Sequence, residues 1–348
     1  MNPAFRIVAD GADITALIND RLLMLRTLDK VGLESDEFEL RIDDRDSSVS
    51  LPRRGAKIEV HLGYGQALAK QGVYMVDAVE FAGPPDVIVV RGRASDMRGS
   101  GKSVRSGSWE NVSLSRIVSD VAARNGWKAE CPVITVVPRA DQIKESDYHF
   151  VTRLARQFDC TAKVADGKLL VLPREGGESA SGKSFPPVTI SRSDVSRFQF
   201  RLDDRAVHSS VKSKYQDAAS GSLVVVELGN DDAPSGLPPI HTDRHIHPNK
   251  SAAEQAAKAR LAAFNRSTAG VRLEMPGRTG LFAEITINAS GFKEGLDGSY
   301  LVDSVEQVFT AGGWTTTVEC NGGRKGKAKA AGKRKKQPKQ LKVVDVSQ

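Results

Sequence analysis

The chain has 348 residues, enough for two or three domains that each bury a core. No run of 18 apolar residues occurs, and the first residues, MNPAFRIVADGAD, lack a basic region followed by an apolar stretch. We therefore expect neither a membrane-spanning helix nor a secretory signal peptide. Cys131, Cys160 and Cys320 are odd in number and far apart, which predicts free thiols in a reducing cytoplasm and no disulfide framework.

The net charge of +7 comes from the C-terminus. The residues from Arg324 onwards contain ten Lys/Arg and one acid, Asp345, and so carry a net +9, which leaves −2 for the rest of the chain. The folded part is therefore predicted to be close to neutral, with a separate basic tail.

Residues 1–97 show the period-two alternation of β-strands. A turn signal, Gly83-Pro84-Pro85-Asp86, separates the last two predicted strands. The predicted strands are Phe5–Ala9, Phe38–Ile42, Lys57–Leu62, Gly72–Phe81 and Val87–Arg93. Short strands at this spacing predict an antiparallel barrel or roll, and the Gly-, Ser- and Lys-rich stretch Gly99–Gly107 predicts its boundary.

Two amphipathic helices are predicted within residues 98–175. Ser113 is placed to cap the first, Gly126 to end it, and Trp127 to fold back onto its apolar face. The second helix begins at Ser146 and is followed by a hairpin whose turn is Asp166-Gly167. The apolar stripes consist of Leu114, Ile117, Val118, Val121 and Ala122 on the first helix, and Phe150, Val151, Leu154, Ala155 and Phe158 on the second. The hairpin strands are Thr161–Ala165 and Lys168–Leu172.

Residues 176–187 read as a linker, and residues 188–322 as a second strand-rich domain that contains one Ala-rich helix at about 252–264. Its predicted strands are Val188–Ile190, Phe198–Arg201, Val207–Tyr215, Leu223–Leu228, Leu281–Asn288, Ser299–Phe309 and Trp314–Cys320. Residues 323–348 are predicted to be a disordered basic tail.

Three runs of this sequence resemble a known family: WENVSLSRIVSDVAARNGW, ESDYHFVTRLARQFDCTAKVADGKLLVLP and FAEITINASGFKEGLDGSYLVDSVEQVFTAGGWTTTVEC. They are similar to the baseplate hub proteins of contractile phage tails, and within them to the phage late control protein D family, which is related to the hub-like half of type VI secretion spike proteins. The family often has His at the position of Gln307.

The resemblance implies an α+β, mainly β fold with two antiparallel tube-like β-barrel domains and an inserted two-helix-plus-hairpin α/β region. It also implies a homotrimeric structural hub that joins the hexameric tail tube protein to a trimeric spike protein. The tape measure protein and other baseplate components are further candidate partners. The expected location is the baseplate of the virion tail, with assembly in the bacterial host cytoplasm.

Two short motifs suggest ligand chemistry. Gly177–Ser184 fits the phosphate-loop pattern GxxxxGKS, but Pro186 and Pro187 leave no room for the helix that this loop requires, so we interpret it as a chance match in a linker. His241, Asp243, His245 and His247 allow two interpretations, a divalent metal site or a polar strand edge.

No GxSxG elbow, HExxH pair or Cys cluster is present, and the acid pairs lie at turn-like positions. The sequence therefore predicts no enzyme and no cofactor. The candidate partner-binding residues are the tail cations Arg324, Lys325, Lys333, Arg334, Lys335 and Lys336. They would hold an acidic partner, or nucleic acid without sequence specificity. The alternatives to a hub are a tail-associated cell-wall hydrolase and a basic nucleic-acid-binding protein.

Overall fold

The computed structural model describes residues 2–32, 36–94, 100–165, 167–176, 185–234, 236 and 239–330. The N-terminal part is almost entirely strand because its short apolar–polar alternations each have a neighbour with which to pair. Its elements are β1 (Pro3–Ala9), β2 (Ala12–Asp13), α1 (Thr15–Ile18), β3 (Leu22–Lys30), β4 (Glu37–Asp43), β5 (Lys57–Tyr64), β6 (Ala67–Ala82) and β7 (Val87–Arg93).

The described residues from 104 to 176 form a smaller α/β unit, which we name the cassette. Its elements are β8 (Val104–Ser113), α2 (Leu114–Arg124), β9 (Lys128–Glu130), β10 (Val136–Ser146), α3 (Asp147–Gln157), β11 (Cys160–Ala165) and β12 (Lys168–Pro173). β8 and β10 form a two-stranded ribbon, whereas β9, β12 and β11 form a three-stranded sheet.

The C-terminal part returns to strands around one long helix. Its elements are β13 (Val188–Ser191), β14 (Arg197–Leu202), β15 (Ser210–Gln216), β16 (Leu223–Gly229), β17 (Ile240–His247), α4 (Lys250–Arg266), β18 (Ala269–Pro276), β19 (Thr286–Ser290), β20 (Gly298–Thr310) and β21 (Gly313–Asn321). We name the described residues of the N- and C-terminal parts together the body. None of the helices in the described ranges is long and apolar enough to cross a membrane.

One 13-stranded sheet joins the two parts of the body. Its order is β14-β18-β21-β20-β3-β4-β7-β6-β5-β1-β2, and β13 and β19 attach beside β20. The long strand β20 makes the junction, because its first residues pair with β19 and its later residues pair with β3. The two parts therefore share a continuous hydrogen-bonded ladder.

Three separate hydrophobic clusters stabilise the molecule. The first lies in the N-terminal part around Phe38 and Tyr74 and includes Trp314 from β21. The third lies in the C-terminal part around Leu273 and Tyr300. The second belongs to the cassette alone. The opposite face of the large sheet carries cross-strand ion pairs such as Arg26–Glu306, 2.5 Å apart, as expected where alternate side chains face water.

The structure confirms both predicted helices of the cassette. The Ser113 hydroxyl accepts a hydrogen bond from the backbone N–H of Arg116 over 3.2 Å, which is an N-cap. At the other end of α2, Gly126 has φ +72°, and the backbone N–H of Trp127 donates to the carbonyl of Ala122, a Schellman motif. The Ser146 hydroxyl caps α3 in the same way. The predicted hairpin is also present as β11 and β12.

The mainly β fold class is confirmed, with three corrections. The strands are not all antiparallel, because β13 runs parallel to β19, β15 to β17, and β12 to β9. The boundary predicted at Gly99–Gly107 is partly wrong, since β8 already begins at Val104. The sequence patterns also give no prediction of strands β2, β3, β8, β9, β10 and β18. The described strands of the large sheet run in an open order, so closure of either part into a barrel stays a prediction.

Candidate assembly surfaces

The chain continues along the body after its last strand. The backbone carbonyl of Arg324 accepts a hydrogen bond from the Asn265 side chain, and the backbone N–H of Lys327 donates to the Thr268 hydroxyl over 2.7 Å. The ammonium group of Lys327 also lies over the ring of Tyr300. The Lys329 ammonium donates to the backbone carbonyl of Asp231, so the chain follows the body as far as Lys329, beyond the predicted start of the tail at residue 323. Backbone partners at the end of α4 compensate for the low apolar content of this segment.

The tail cations fall into two groups. The guanidinium of Arg324 lies 2.9 Å from the Asp159 carboxylate, while Lys325 is exposed and has no partner among the described residues. Arg324 is therefore a link between the C-terminal segment and the cassette. Lys333, Arg334, Lys335 and Lys336 lie outside the described residues, as does the predicted linker motif Gly177–Ser184.

The histidines of β17 do not converge on one point. His241 packs edge-to-face against the Phe264 ring of α4, and burial lowers its pKa, helped by the nearby Arg260. His245 and His247 are neighbours with ring centroids 4.8 Å apart, and His247 bonds to Asp243 over 3.2 Å. The described residues contain no group of three or more His, Cys, Asp or Glu side chains arranged to hold a metal ion. Within that part of the chain, the strand-edge interpretation fits better.

The three cysteines are free thiols, as predicted. Cys160 and Cys320 are buried, and burial raises the pKa of Cys160 to about 12 and that of Cys320 well above its ordinary value. A thiol held protonated is a poor nucleophile and a poor metal ligand. These cysteines therefore act as small apolar core residues.

Strand β14 is a free edge of the large sheet in the described structure. Phe198, Phe200 and Leu202 point to the same side of β14 as the buried residues of β18, with which they pair. Phe198 and Leu202 are nevertheless 41% and 42% exposed. A side chain on the core side of a sheet that remains half exposed marks a place where the core is open.

A second apolar surface lies on the small sheet of β16, β15 and β17. Helix α4 covers one face of this sheet, where Val211 is fully buried. Four apolar side chains are about half exposed: Leu223, Val225, Ile240 and Ile246. The register places these four on the other face, on either side of Lys214. This face is accordingly a second candidate contact surface.

A groove of about 1060 Å³ separates the cassette from α4. Its walls come from β10, the end of α3, the end of β17 and one side of α4. More arginines than acidic residues line the groove. Among the arginines, Arg153 forms an ion pair with Glu145, and Arg156 is exposed. The groove shows that the cassette contacts the body only along part of its surface.

Comparison with known proteins connects this architecture to phage tails. The chain is 30% identical to the "Probable baseplate hub protein" of Escherichia phage P2 over 368 aligned positions, which cover 92% of this chain and 93% of that protein. The corresponding protein of Escherichia phage 186 is 31% identical, with 91% and 92% covered.

Solved structures show the same fold. The 43 kDa tail protein of prophage MuSo2 from Shewanella oneidensis has a TM-score of 0.70 at 16% identity, covering 92% of this chain and 98% of that one. An E. coli component of the type VI secretion system, described as similar in structure to bacteriophage T4 tail proteins, has a TM-score of 0.56 at 11% identity, covering 86% and 73%. The sequence signature described as "Phage tail baseplate hub (GPD)" matches residues 32–313. The chain therefore belongs to the phage tail baseplate hub (GPD) family.

Proposed function

We propose that this protein is the structural hub of a contractile tail baseplate, a homotrimeric adaptor between the hexameric tail tube and the trimeric spike. The observation that carries the proposal is the end-to-end likeness to two proteins named as probable baseplate hubs. The tube, spike and tape measure proteins are the proposed partners, and the virion tail is the proposed location.

The body has the repetition that such an adaptor needs. Two strand-rich parts, each with its own buried cluster, lie side by side through the β20–β3 ladder. Three chains would present six such parts in a ring, which matches a six-fold partner on one side, while the ring keeps the three-fold symmetry of a spike. An adaptor of this kind needs contact surfaces for its partners and no bond-making step, so the proposed role is non-catalytic.

The half-exposed side chains of β14 support contact between copies. A neighbouring chain at this edge would pair with the free backbone groups of β14 and cover Phe198 and Leu202. The tail cations Lys325, Lys333, Arg334, Lys335 and Lys336 are proposed to hold an acidic partner, and Arg324 belongs to the body.

The mass of the full-length protein, measured by light scattering alone and with its tube and spike proteins, tests the adaptor role. A trimer that binds both proteins is expected. Leu202→Lys should weaken the trimer because it places a charge on the contact edge. Leu17→Lys, at a side chain of α1 that is 74% exposed, is the matched control and should leave the mass unchanged. A chain that stays monomeric with both partners present contradicts the proposal.

A further inference from the structure

The cassette folds around a core of its own. Its cluster consists of residues between 109 and 171, and in the described structure no member belongs to either cluster of the body. Leu114, Ile117 and Phe150 are fully buried inside this unit. The core of the cassette is therefore formed by side chains of the cassette alone.

Lys163 of β11 makes the first polar contact between the two units. Its ammonium group donates to the Asp29 carboxylate over 2.6 Å and to the backbone carbonyl of Lys30 over 3.3 Å. The same ammonium group lies 3.0 Å from the Asp36 carboxylate. One cation of the cassette is thus held between two acids of the body. The three charged side chains are only 16–26% exposed.

The second contact lies around Glu284, which precedes β19. The Thr161 hydroxyl donates to the Glu284 carboxylate over 2.7 Å, and the Arg174 guanidinium lies 3.3 Å from the same carboxylate. Arg174 also approaches Asp303 of β20 to 4.0 Å. All of these contacts connect the hairpin of the cassette to the C-terminal part of the body.

The third contact is made by Asp159 and Glu175. Arg266, at the end of α4, is bonded to Asp159 and lies 3.3 Å from Glu175, and its side chain is 6% exposed. The Arg324 guanidinium donates a hydrogen bond to the other carboxylate oxygen of Asp159. We name these three contacts together the ionic joint.

The ionic joint contains more acids than bases. Its carboxylates are Asp29, Asp36, Asp159, Glu175, Glu284 and Asp303, and its cations are Lys163, Arg174, Arg266 and Arg324. Charges removed from water lose hydration energy that their mutual attraction barely restores. A joint of this kind holds two units together less firmly than an apolar interface of the same size.

We propose that the cassette is a movable lobe, and that the ionic joint opens as the pH rises while all three hydrophobic cores stay folded. Opening returns the excess carboxylates to water, where each is stable in its charged form. In a hub, such a lobe would change the outline of the particle without disturbing the continuous sheet of the body.

The pKa values of the carboxyl groups in the ionic joint determine whether the closed state is favoured at low or at high pH. Burial raises the pKa of Asp36 to about 7, opposed by the nearby Lys163 and reinforced by Asp29. Burial also raises the pKa of Glu284, against Arg174, and that of Asp303, against its hydrogen bond from Asn321. Other charged or titratable groups that face these acids are Tyr74, Arg266 and Glu319, and the backbone N–H of Lys30 donates to Asp36 over 3.1 Å. The closed joint therefore binds more protons than the open one.

The sign of the pH dependence follows from the linkage between proton binding and closure of the joint. A carboxyl whose pKa is raised in the closed state favours closure at low pH, and this contribution is lost as the pH rises through the raised pKa. Closure should accordingly be most favourable below about pH 4, weaken steadily as the pH rises to about 7, and become independent of pH above about 8.

Pulsed electron paramagnetic resonance on the full chain tests the proposal. The half-buried Cys131 is replaced by Ser, and spin labels are placed at Glu110→Cys on the cassette and Arg53→Cys on the body, whose side chains are 65% and 75% exposed. The labelled chain is diluted into an excess of unlabelled protein so that distances within one chain dominate, and at pH 5.5 a single narrow distance is expected. At pH 8.5 a second, longer distance should appear while the circular dichroism spectrum stays the same.

Three variants sharpen the test. Lys163→Met should populate the longer distance at both pH values, because Asp29 and Asp36 then remain without their shared cation. Lys168→Met is the matched control in the same hairpin and should behave like wild type, since Lys168 pairs with Glu130 inside the cassette. Asp36→Asn removes one excess acid and should reduce the shift between the two pH values at least twofold.

The wild-type pH series decides the matter even if Lys163→Met fails to fold. A single distance that is unchanged from pH 5.5 to 8.5 would overturn the proposal. So would a longer distance that appears only together with loss of the helical signal, because the cassette would then be unfolding rather than moving.

Discussion

The Gln307 side chain accepts a hydrogen bond from the indole N–H of Trp314 over 2.9 Å, and both residues are buried. The same oxygen accepts from the Thr316 hydroxyl over 2.5 Å, and the Gln307 amide donates to the carbonyl of Arg278 over 3.1 Å. One side chain thus satisfies polar groups of β21 and of the loop that precedes β19. Gln307 therefore has a structural role.

Replacing Gln307 with Leu should lower the free energy of unfolding by at least about 2 kcal/mol. The buried N–H of Trp314 and hydroxyl of Thr316 lose their acceptor, and each buried unpaired group costs about 1–3 kcal/mol. Gln199→Leu, at an exposed position of β14, is the control for the same change. Urea denaturation followed by Trp fluorescence measures both. Equal stability of the two variants would contradict the proposed role.

Truncation of the cassette core should be costly. Ile117 of α2 is fully buried, so Ile117→Ala is expected to destabilise the cassette by about 2–5 kcal/mol. Leu154→Ala on α3 should have a similar effect, because Leu154 is also buried. Ile134→Ala removes the same atoms at a fully exposed position and should change stability by less than about 0.5 kcal/mol. Thermal melts followed by circular dichroism test this; a stable Ile117→Ala protein would refute the proposed apolar face.

Asp147 organises the start of α3. Its carboxylate is fully buried and accepts hydrogen bonds from Arg124, Asn125 and Gln142 over 2.5–2.9 Å. Asp147→Ala should destabilise the cassette by about 3–5 kcal/mol, because the Arg124 charge is left without its partner. Asp141→Ala, which breaks the more exposed pair with Arg139, should cost at most about 1 kcal/mol. Denaturation midpoints of the two variants, measured side by side, distinguish these outcomes.

Two truncations separate the packed C-terminal segment from the rest of the tail. Removal of residues 331–348 should leave folding and trimer formation intact, because the contacts of the C-terminal segment with the body come from Arg324, Lys327 and Lys329. Removal of residues 324–348 also deletes the Arg324–Asp159 pair and the acceptor of the Asn265 amide, and should lower the melting temperature. If both truncated proteins melt at the same temperature, the contacts of Arg324 do not contribute to stability.

Partner binding by the tail should depend on salt. Exposed charges are screened beyond about 8 Å at physiological ionic strength, so a complex held by Lys325 and Lys333–Lys336 should weaken as NaCl is added. Pull-down of candidate baseplate proteins from 0.05 to 0.5 M NaCl, with the full chain and the chain ending at Ala330, measures this. A complex that forms equally well with both chains would show that the tail is not the binding element.

Elements whose signals lie close together in the chain could be predicted from the residues alone. Ser113, Gly126 and Ser146 mark helix ends through bonds to residues two to four positions away, so the cassette helices follow from the order of residues alone. The same is true of most strands of the N-terminal part, where alternation and turns lie next to each other in the chain. The three runs that resemble hub proteins also identify the family without any structure.

The neighbours of each strand could not be predicted in this way, because they depend on contacts between distant parts of the chain. The pairing of β3 with β20, in which Arg26 and Glu306 are 280 positions apart, merges the two predicted domains into one sheet, and no local pattern contains that information. The apolar run of β3 has no clean alternation, because parts of both its faces are covered in the sheet. The charges of the ionic joint are scattered from Asp29 to Arg324 and read as ordinary surface residues until folding brings them together, since their energies depend on burial and distance rather than on sequence spacing.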